Sequence, residues 1–129
     1  MKVAVLGKTL FSGVISALLA ECGHQVLWCN SFNTDEPVRT YFQDESLQLL
    51  LQKQQELGFL NCCDFQHLTF NQDVFFFSFN ATEEQLAFQM LNTIHHACFA
   101  HPKLMINAST FGLHGTARFQ QLLPNDDWV

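Results

Sequence analysis

Val3-Ala4-Val5-Leu6-Gly7-Lys8-Thr9-Leu10, followed through Leu19-Ala20-Glu21-Cys22-Gly23-His24-Gln25-Val26-Leu27-Trp28-Cys29-Asn30, decides the fold of this chain. Lys2 to Leu6 is short, continuously apolar and rich in branched residues, the pattern of a strand buried on both faces of a parallel sheet. It ends at Gly7. From Leu10 to Cys22 the apolar residues Leu10, Val14, Ala17 and Leu18 recur at helical spacing, and Gly23 supplies the stop. A second apolar run, Gln25 to Cys29, follows at once. The stretch therefore reads as a β-α-β unit with a right-handed crossover.

The same alternation continues outward. Glu45 to Leu57 predicts a helix with Leu47, Leu50, Leu51 and Leu57 on its inner side, closed by Gly58. Phe59 to Cys62 predicts a brief third strand, Asp64 to Phe70 one or two helical turns, and the aromatic run Val74 to Phe79 a central fourth strand. Thr82 with Gln85 three residues on makes a capping box for a helix reaching about Ala100. Leu104 to Asn107 is a fifth strand and Gly115 to Leu123 a last helix. Strands alternating with helices argue an α/β fold, a doubly wound parallel sheet of strand order 3-2-1-4-5. One domain over residues 1–123 and a polar tail over 124–129 account for the chain.

Composition sets the outer limits. At 129 residues, 48% hydrophobic with fourteen Phe, the chain has material for one core, and intrinsic disorder is excluded. Twelve acids against six bases give a formal charge of −6, with no basic cluster to meet nucleic acid or an anionic membrane. No run approaches the roughly 20 apolar residues of a membrane span. Lys8, Ser12, Gly13 and Ser16 break up what would otherwise resemble a secretory leader. Cys22, Cys29, Cys62, Cys63 and Cys98 lack C-x-x-C spacing, and reduced thiols suit a cytoplasmic protein.

A dinucleotide-binding turn carries glycines at three offsets after the first strand and an acid at the end of the second. Those offsets hold Gly7, Thr9 and Ser12 here, and the strand-two position holds Asn30. Gly7 permits the tight turn. Thr9 sets a branched side chain in the path of the phosphates, and Ser12 adds bulk where helix and strand meet. Asn30 still bonds a ribose hydroxyl but forfeits up to about 1 kcal/mol of charge assistance. A P-loop is excluded because Lys2 stands where that motif needs glycine.

Val5-Leu6-Gly7 leading to Leu19-Ala20-Glu21-Cys22-Gly23-His24-Gln25-Val26 resembles the opening of the UDP-glucose/GDP-mannose dehydrogenase family. Collinear matches follow at Glu45-Ser46-Leu47 with Gly58-Phe59-Leu60, at Asp73-Val74-Phe75-Phe76, and at Asn107-Ala108-Ser109-Thr110 with Gly115-Thr116-Ala117-Arg118. The resemblance implies a Rossmann-like NAD-binding domain corresponding to the N-terminal half of a UDP-glucose 6-dehydrogenase. It maps the cofactor site onto Gly7, Thr9, Leu10, Phe11, Ser12, Asn30, Asn80 and Thr110, with Thr110 the remnant of a catalytic position. The family's nucleophilic cysteine, lysine and glutamates fall C-terminal to all of these, so the resemblance implies a chain catalytically incompetent alone, with NAD bound weakly or lost. It also implies that the chain stops before the family's sixth strand, leaving an apolar edge at Leu104 to Asn107 and around Phe111, Phe119 and Leu123. Such an edge invites a homodimer or a partner chain supplying the missing half, unless Trp128 folds back to cover it. The alternatives are an interaction module without cofactor and a β-hydroxyacid dehydrogenase-like NADP-binding domain.

His95, His96, Cys98 and His101 lie close in sequence, but Cys98 reads as a core thiol beside Leu91 and Ile94, and no metal site is expected. Cys62-Cys63 reads as a strand end, since adjacent cysteines bridge only with strain. Ser109 and His114 lack an acid to orient the histidine, which reads as a loop residue.

Overall fold

The computed structural model describes residues 1–32, 44–97, 103–111, 114–122, 124 and 126–129. Along the chain run β1 (Lys2–Leu6), α1 (Leu10–Glu21), β2 (Gln25–Ser31), α2 (Glu45–Glu56), β3 (Leu60–Asp64), β4 (Val74–Phe77), α3 (Glu84–Ala97), β5 (Leu104–Asn107), α4 (Gly115–Leu122) and β6 (Asp127–Trp128). The strands form one sheet in the order β3-β2-β1-β4-β5-β6, every neighbouring pair parallel. The order 3-2-1-4-5 is the expected one, with β1 and β4 at the centre. In β1, Val3, Ala4, Val5 and Leu6 are all buried, as a strand covered on both faces requires.

Alternation along the strands divides the core in two. Val3, Val5, Val26 and Trp28 pack with Ala17 and Ala20 of α1 and Leu47 and Leu51 of α2. Ala4, Leu6, Cys29, Phe75 and Phe77 face the other way, onto Ala87, Met90, Leu91 and Ile94 of α3 and Phe119 of α4. An ion pair between Arg118 and Glu84 ties α4 to α3.

Helix α1 corrects the expected stripe. Ala17 is buried and Val14 packs against the core as expected, but Leu10 and Leu18 are exposed, and the other buried positions are small ones, Ser12, Gly13, Ser16 and Ala20. Small residues let the helix axis approach the sheet closely, which large side chains at the same positions prevent.

Helix α3 begins differently from the expected box. The Asn80 amide donates to Glu83 Oε2 at 3.0 Å, and a 3-10 turn over Ala81–Glu83 leads into the helix. The capping pair is thus two residues upstream of Thr82 and Gln85, because β4 ends at Phe77 and the chain turns at once.

The tail is not a loose appendage, and the sheet does not stop at β5. The Val129 amide donates to Met105 O at 2.8 Å, and Asn107 N–H donates to Val129 O at 2.9 Å. Trp128 lies against Phe77 and Phe119, with ring centroids 5.9 and 5.6 Å away. The indole provides the apolar anchor that draws a short polar segment into the sheet, and β6 covers the β5 edge expected to be open. Phe111 and Phe119 are buried as well, while Leu123 lies outside the described residues. Exposed apolar side chains include Leu10, Phe11 and Leu18 on α1, Leu49 on α2 and Leu104 at the start of β5.

Candidate functional site at the glycine turn

The order reverses between β1 and β4, and Gly7 leaves the sheet at the carboxyl end of β1 beside that switch point. Its φ is +142°, and a β-carbon placed there would stand 1.9 Å from the Ser78 carbonyl oxygen. Only glycine passes so close to the chain leaving β4. Gly7 N–H donates to Cys29 O at 3.1 Å, and Ser78 N–H donates to Leu6 O at 2.9 Å, so the turn is bonded to both flanking strands.

Thr9 caps α1. Its Oγ1 accepts the Ser12 amide at 3.0 Å and lies 2.6 Å from Ser78 Oγ. The Ser12 hydroxyl is buried, 3.0 Å from the Gly7 carbonyl and 2.7 Å from that of Thr9. Trp28 Nε1 also donates to the Gly7 carbonyl, at 2.9 Å. The expected crowding at Thr9 and Ser12 is therefore a set of hydrogen bonds within the protein. The first turn of α1 contains no acid to oppose an anion at its positive end.

Asn30 lies inside β2, which runs two residues further than expected. Its side chain is 6% exposed, and neither Oδ1 nor Nδ2 has a partner among the described residues. A buried amide without partners costs about 1 to 3 kcal/mol per unmet group. The Lys8 ammonium stands 5.4 Å from the centre of the Phe32 ring. Phe32 meets Phe79 at 5.6 Å, and Phe79 stacks on Phe111 at 6.4 Å, an aromatic row along the carboxyl edges of the sheet.

The other expected residues are spread out. Leu10 and Phe11 are exposed at the start of α1, with the Phe11 ring 6.0 Å from that of Phe76. Asn80 is exposed after β4, and Thr110 is exposed with its amide donating to Phe79 O at 3.1 Å. The Ser109 hydroxyl accepts the Phe79 amide at 2.9 Å, a structural use, and His114 is an exposed turn residue. The structure brings Gly7, Thr9 and Ser12 into one hydrogen-bonded turn. Sequence reasoning missed Ser78 and Trp28. Trp28 lies two residues before Asn30 on the same strand, a signal present in the sequence; Ser78 carries no local signal, since its role depends on where β4 ends. Of the histidine and cysteine group, His95 and His96 close α3, while Cys98 and His101 lie outside the described residues.

A parallel sheet wound in this order, with a glycine turn at its switch point, defines a Rossmann-like α/β domain. No family model and no curated protein sequence matches the chain. Solved structures do. A UDP-D-ManNAc dehydrogenase from Pyrococcus horikoshii superposes with a TM-score of 0.76 at 18% identity, over 99% of this chain and 34% of the other. A UDP-glucose dehydrogenase from Pyrobaculum islandicum gives 0.75 at 16% identity, over 98% and 34% respectively. An Arthrobacter protein described as a putative F420-dependent NADP reductase gives 0.69 at 15% identity, over 99% and 60%. The chain thus spans about a third of the UDP-sugar dehydrogenases it resembles, the group that its sequence motifs pointed to. At these identities the likeness establishes the fold.

Proposed function

We propose that this chain is a nucleotide-binding domain of the NAD(P) type whose dinucleotide site is weakened and which performs no oxidation by itself. The observation carrying the reading is Asn30: a buried amide with both polar atoms unpartnered among the described residues, the penultimate residue of β2 and one residue from the strand position that bonds the glycine turn. A ribose offers the hydroxyl donors and acceptors that such an amide lacks, and the α1 terminus favours a phosphate.

The weakening follows from Thr9. An entering pyrophosphate has to displace the Thr9 to Ser78 hydrogen bond and fit beside a branched side chain. The sum of that loss and the missing acid at Asn30 is a few kcal/mol, which moves a micromolar site to about millimolar. Thermal shift with NAD, NADP and UDP-glucose is the first measurement, because a ligand at about a hundred times its Kd stabilises by roughly 2.7 kcal/mol. The paired change Thr9→Gly with Asn30→Asp is expected to tighten NAD at least tenfold by calorimetry. Thr9→Gly alone removes a cap at a cost of only a few tenths of a kcal/mol, so folding survives it. Low-micromolar affinity in the unaltered chain contradicts the weakening; no binding even in the paired variant favours an interaction module that has lost the cofactor.

The chain alone is expected to give no NADH from UDP-glucose and NAD. Four-electron oxidation through a thiohemiacetal needs a nucleophilic cysteine set against a base. Thr110, exposed and held through its backbone, supplies neither. NADH above blank that disappears in Thr110→Ala overturns this.

A further inference from the structure

We propose that Cys29 and Cys63 form a peroxide-responsive thiol pair that closes into a disulfide joining β2 to β3. The two residues stand directly opposite one another in the parallel ladder. Adjacent strands lie about 4.8 Å apart, within the roughly 4.4 to 6.8 Å separation of α-carbons that a disulfide spans. Both side chains belong to the same layer, the core beneath α3, with Cys29 fully buried and Cys63 half-buried at its margin.

Cys62, although adjacent in sequence, points to the opposite face and takes a hydrogen bond from Gln55 Nε2 at 3.2 Å. The pairing that sequence proximity suggests is therefore geometrically excluded, and the cross-strand pairing is offered instead. All four described cysteines are free thiols.

The chemistry divides the roles. Contact with the Cys29 thiol, which itself donates to Ser31 O at 3.8 Å, lowers the Cys63 pKa despite partial burial and the neighbouring Asp64 carboxylate. The same contact together with burial holds Cys29 protonated, and burial pushes the Cys62 thiol up. Cys63 is thus the attacking thiolate. Its sulfur attacks one oxygen of hydrogen peroxide, the O–O bond breaks, and the departing hydroxide takes a proton to leave as water, giving Cys63 sulfenic acid. The Cys29 sulfur then attacks the Cys63 sulfur, the S–O bond breaks, and hydroxide leaves with the Cys29 proton as a second water. Two thiols are oxidised and one peroxide is reduced. The bond forms one residue before Asn30, on the residue whose carbonyl receives Gly7 N–H.

The test is made on the full chain, reduced, desalted and exposed to dilute hydrogen peroxide, with thiols then alkylated in denaturant and mapped by mass spectrometry without reduction. The expected product is one intramolecular Cys29–Cys63 linkage, reversed by dithiothreitol and unaffected in Cys62→Ser. Cys63→Ser, at the half-buried position, abolishes it. Cys29→Ala leaves Cys63 as a sulfenic acid that dimedone labels, and Cys63 alkylates faster than Cys62 at neutral pH in the unaltered chain. A Cys62–Cys63 bond, only intermolecular bonds through exposed Cys22, or Cys63 passing to sulfinic acid while Cys29 stays alkylatable overturns the proposal.

Discussion

Replacing Gly7 by alanine is expected to lower the unfolding free energy by about 4 kcal/mol, a large share of the stability of a domain this size. Two costs combine. A non-glycine residue held at φ +142° carries backbone strain of about 1 to 3 kcal/mol. Its β-carbon would also lie 1.9 Å from a backbone carbonyl oxygen, so β1 and the segment after β4 have to separate, an overpacking cost of about 1 to 3 kcal/mol more. The separation strains the Ser78 to Leu6 hydrogen bond and the contact between Thr9 and Ser78. Gly58 is the control: its φ is +81°, but an added β-carbon there meets nothing within 4 Å, so alanine costs only about 1 to 2 kcal/mol. Urea titrations of both variants test the difference. Equal losses would mean that the close approach at Ser78 contributes nothing.

Phe119→Ala is expected to cost about 4 kcal/mol, the usual size for a phenylalanine emptied from a packed core. Phe119 is fully buried and touches four other rings: Phe88 at 5.0 Å, Phe111 at 5.5 Å, Trp128 at 5.6 Å and Phe77 at 6.0 Å between centroids. Removing it leaves Trp128 half-supported, so β6 should loosen with it. Hydrogen exchange at the Asn107 and Val129 amides, which join β5 to the tail, is expected to accelerate more than exchange at Gly7. Leu18→Ala, on the exposed side of α1, should stay within about 0.5 kcal/mol of the unaltered chain. A Phe119→Ala loss under 1 kcal/mol, with tail exchange unchanged, would remove the aromatic cluster as the anchor of β6.

The alternation of strand and helix was legible in the sequence because it depends on short-range patterns. A fully apolar run at Val3 to Leu6 has only one comfortable setting, a strand covered on both faces, and Gly7 marks where it must turn. Parallel neighbours with single-helix crossovers leave few strand orders, so the order of the first five strands followed from the same pattern. The replacement of glycines by Thr9 and Ser12 was equally visible, as side-chain identity alone shows it.

What needed tertiary structure was every feature decided by a distant partner. The inner face of α1 came out as serine, glycine and alanine, because closeness to the sheet selects small residues, whereas a hydrophobic stripe selects Leu10 and Leu18. Ser78 joined the site only because β4 ends beside Gly7, and Cys63 met Cys29 only through the register of β2 on β3. The last residues read as a polar tail because Trp128 and Val129 are only two apolar residues after a polar stretch, too few for any periodic signal. Its place in the sheet is set by Phe77 and Phe119, which lie 51 and 9 positions earlier in the chain and form its socket only after the sheet and α4 have come together. Local pattern thus determined which elements form, and burial against remote side chains determined which residues face one another.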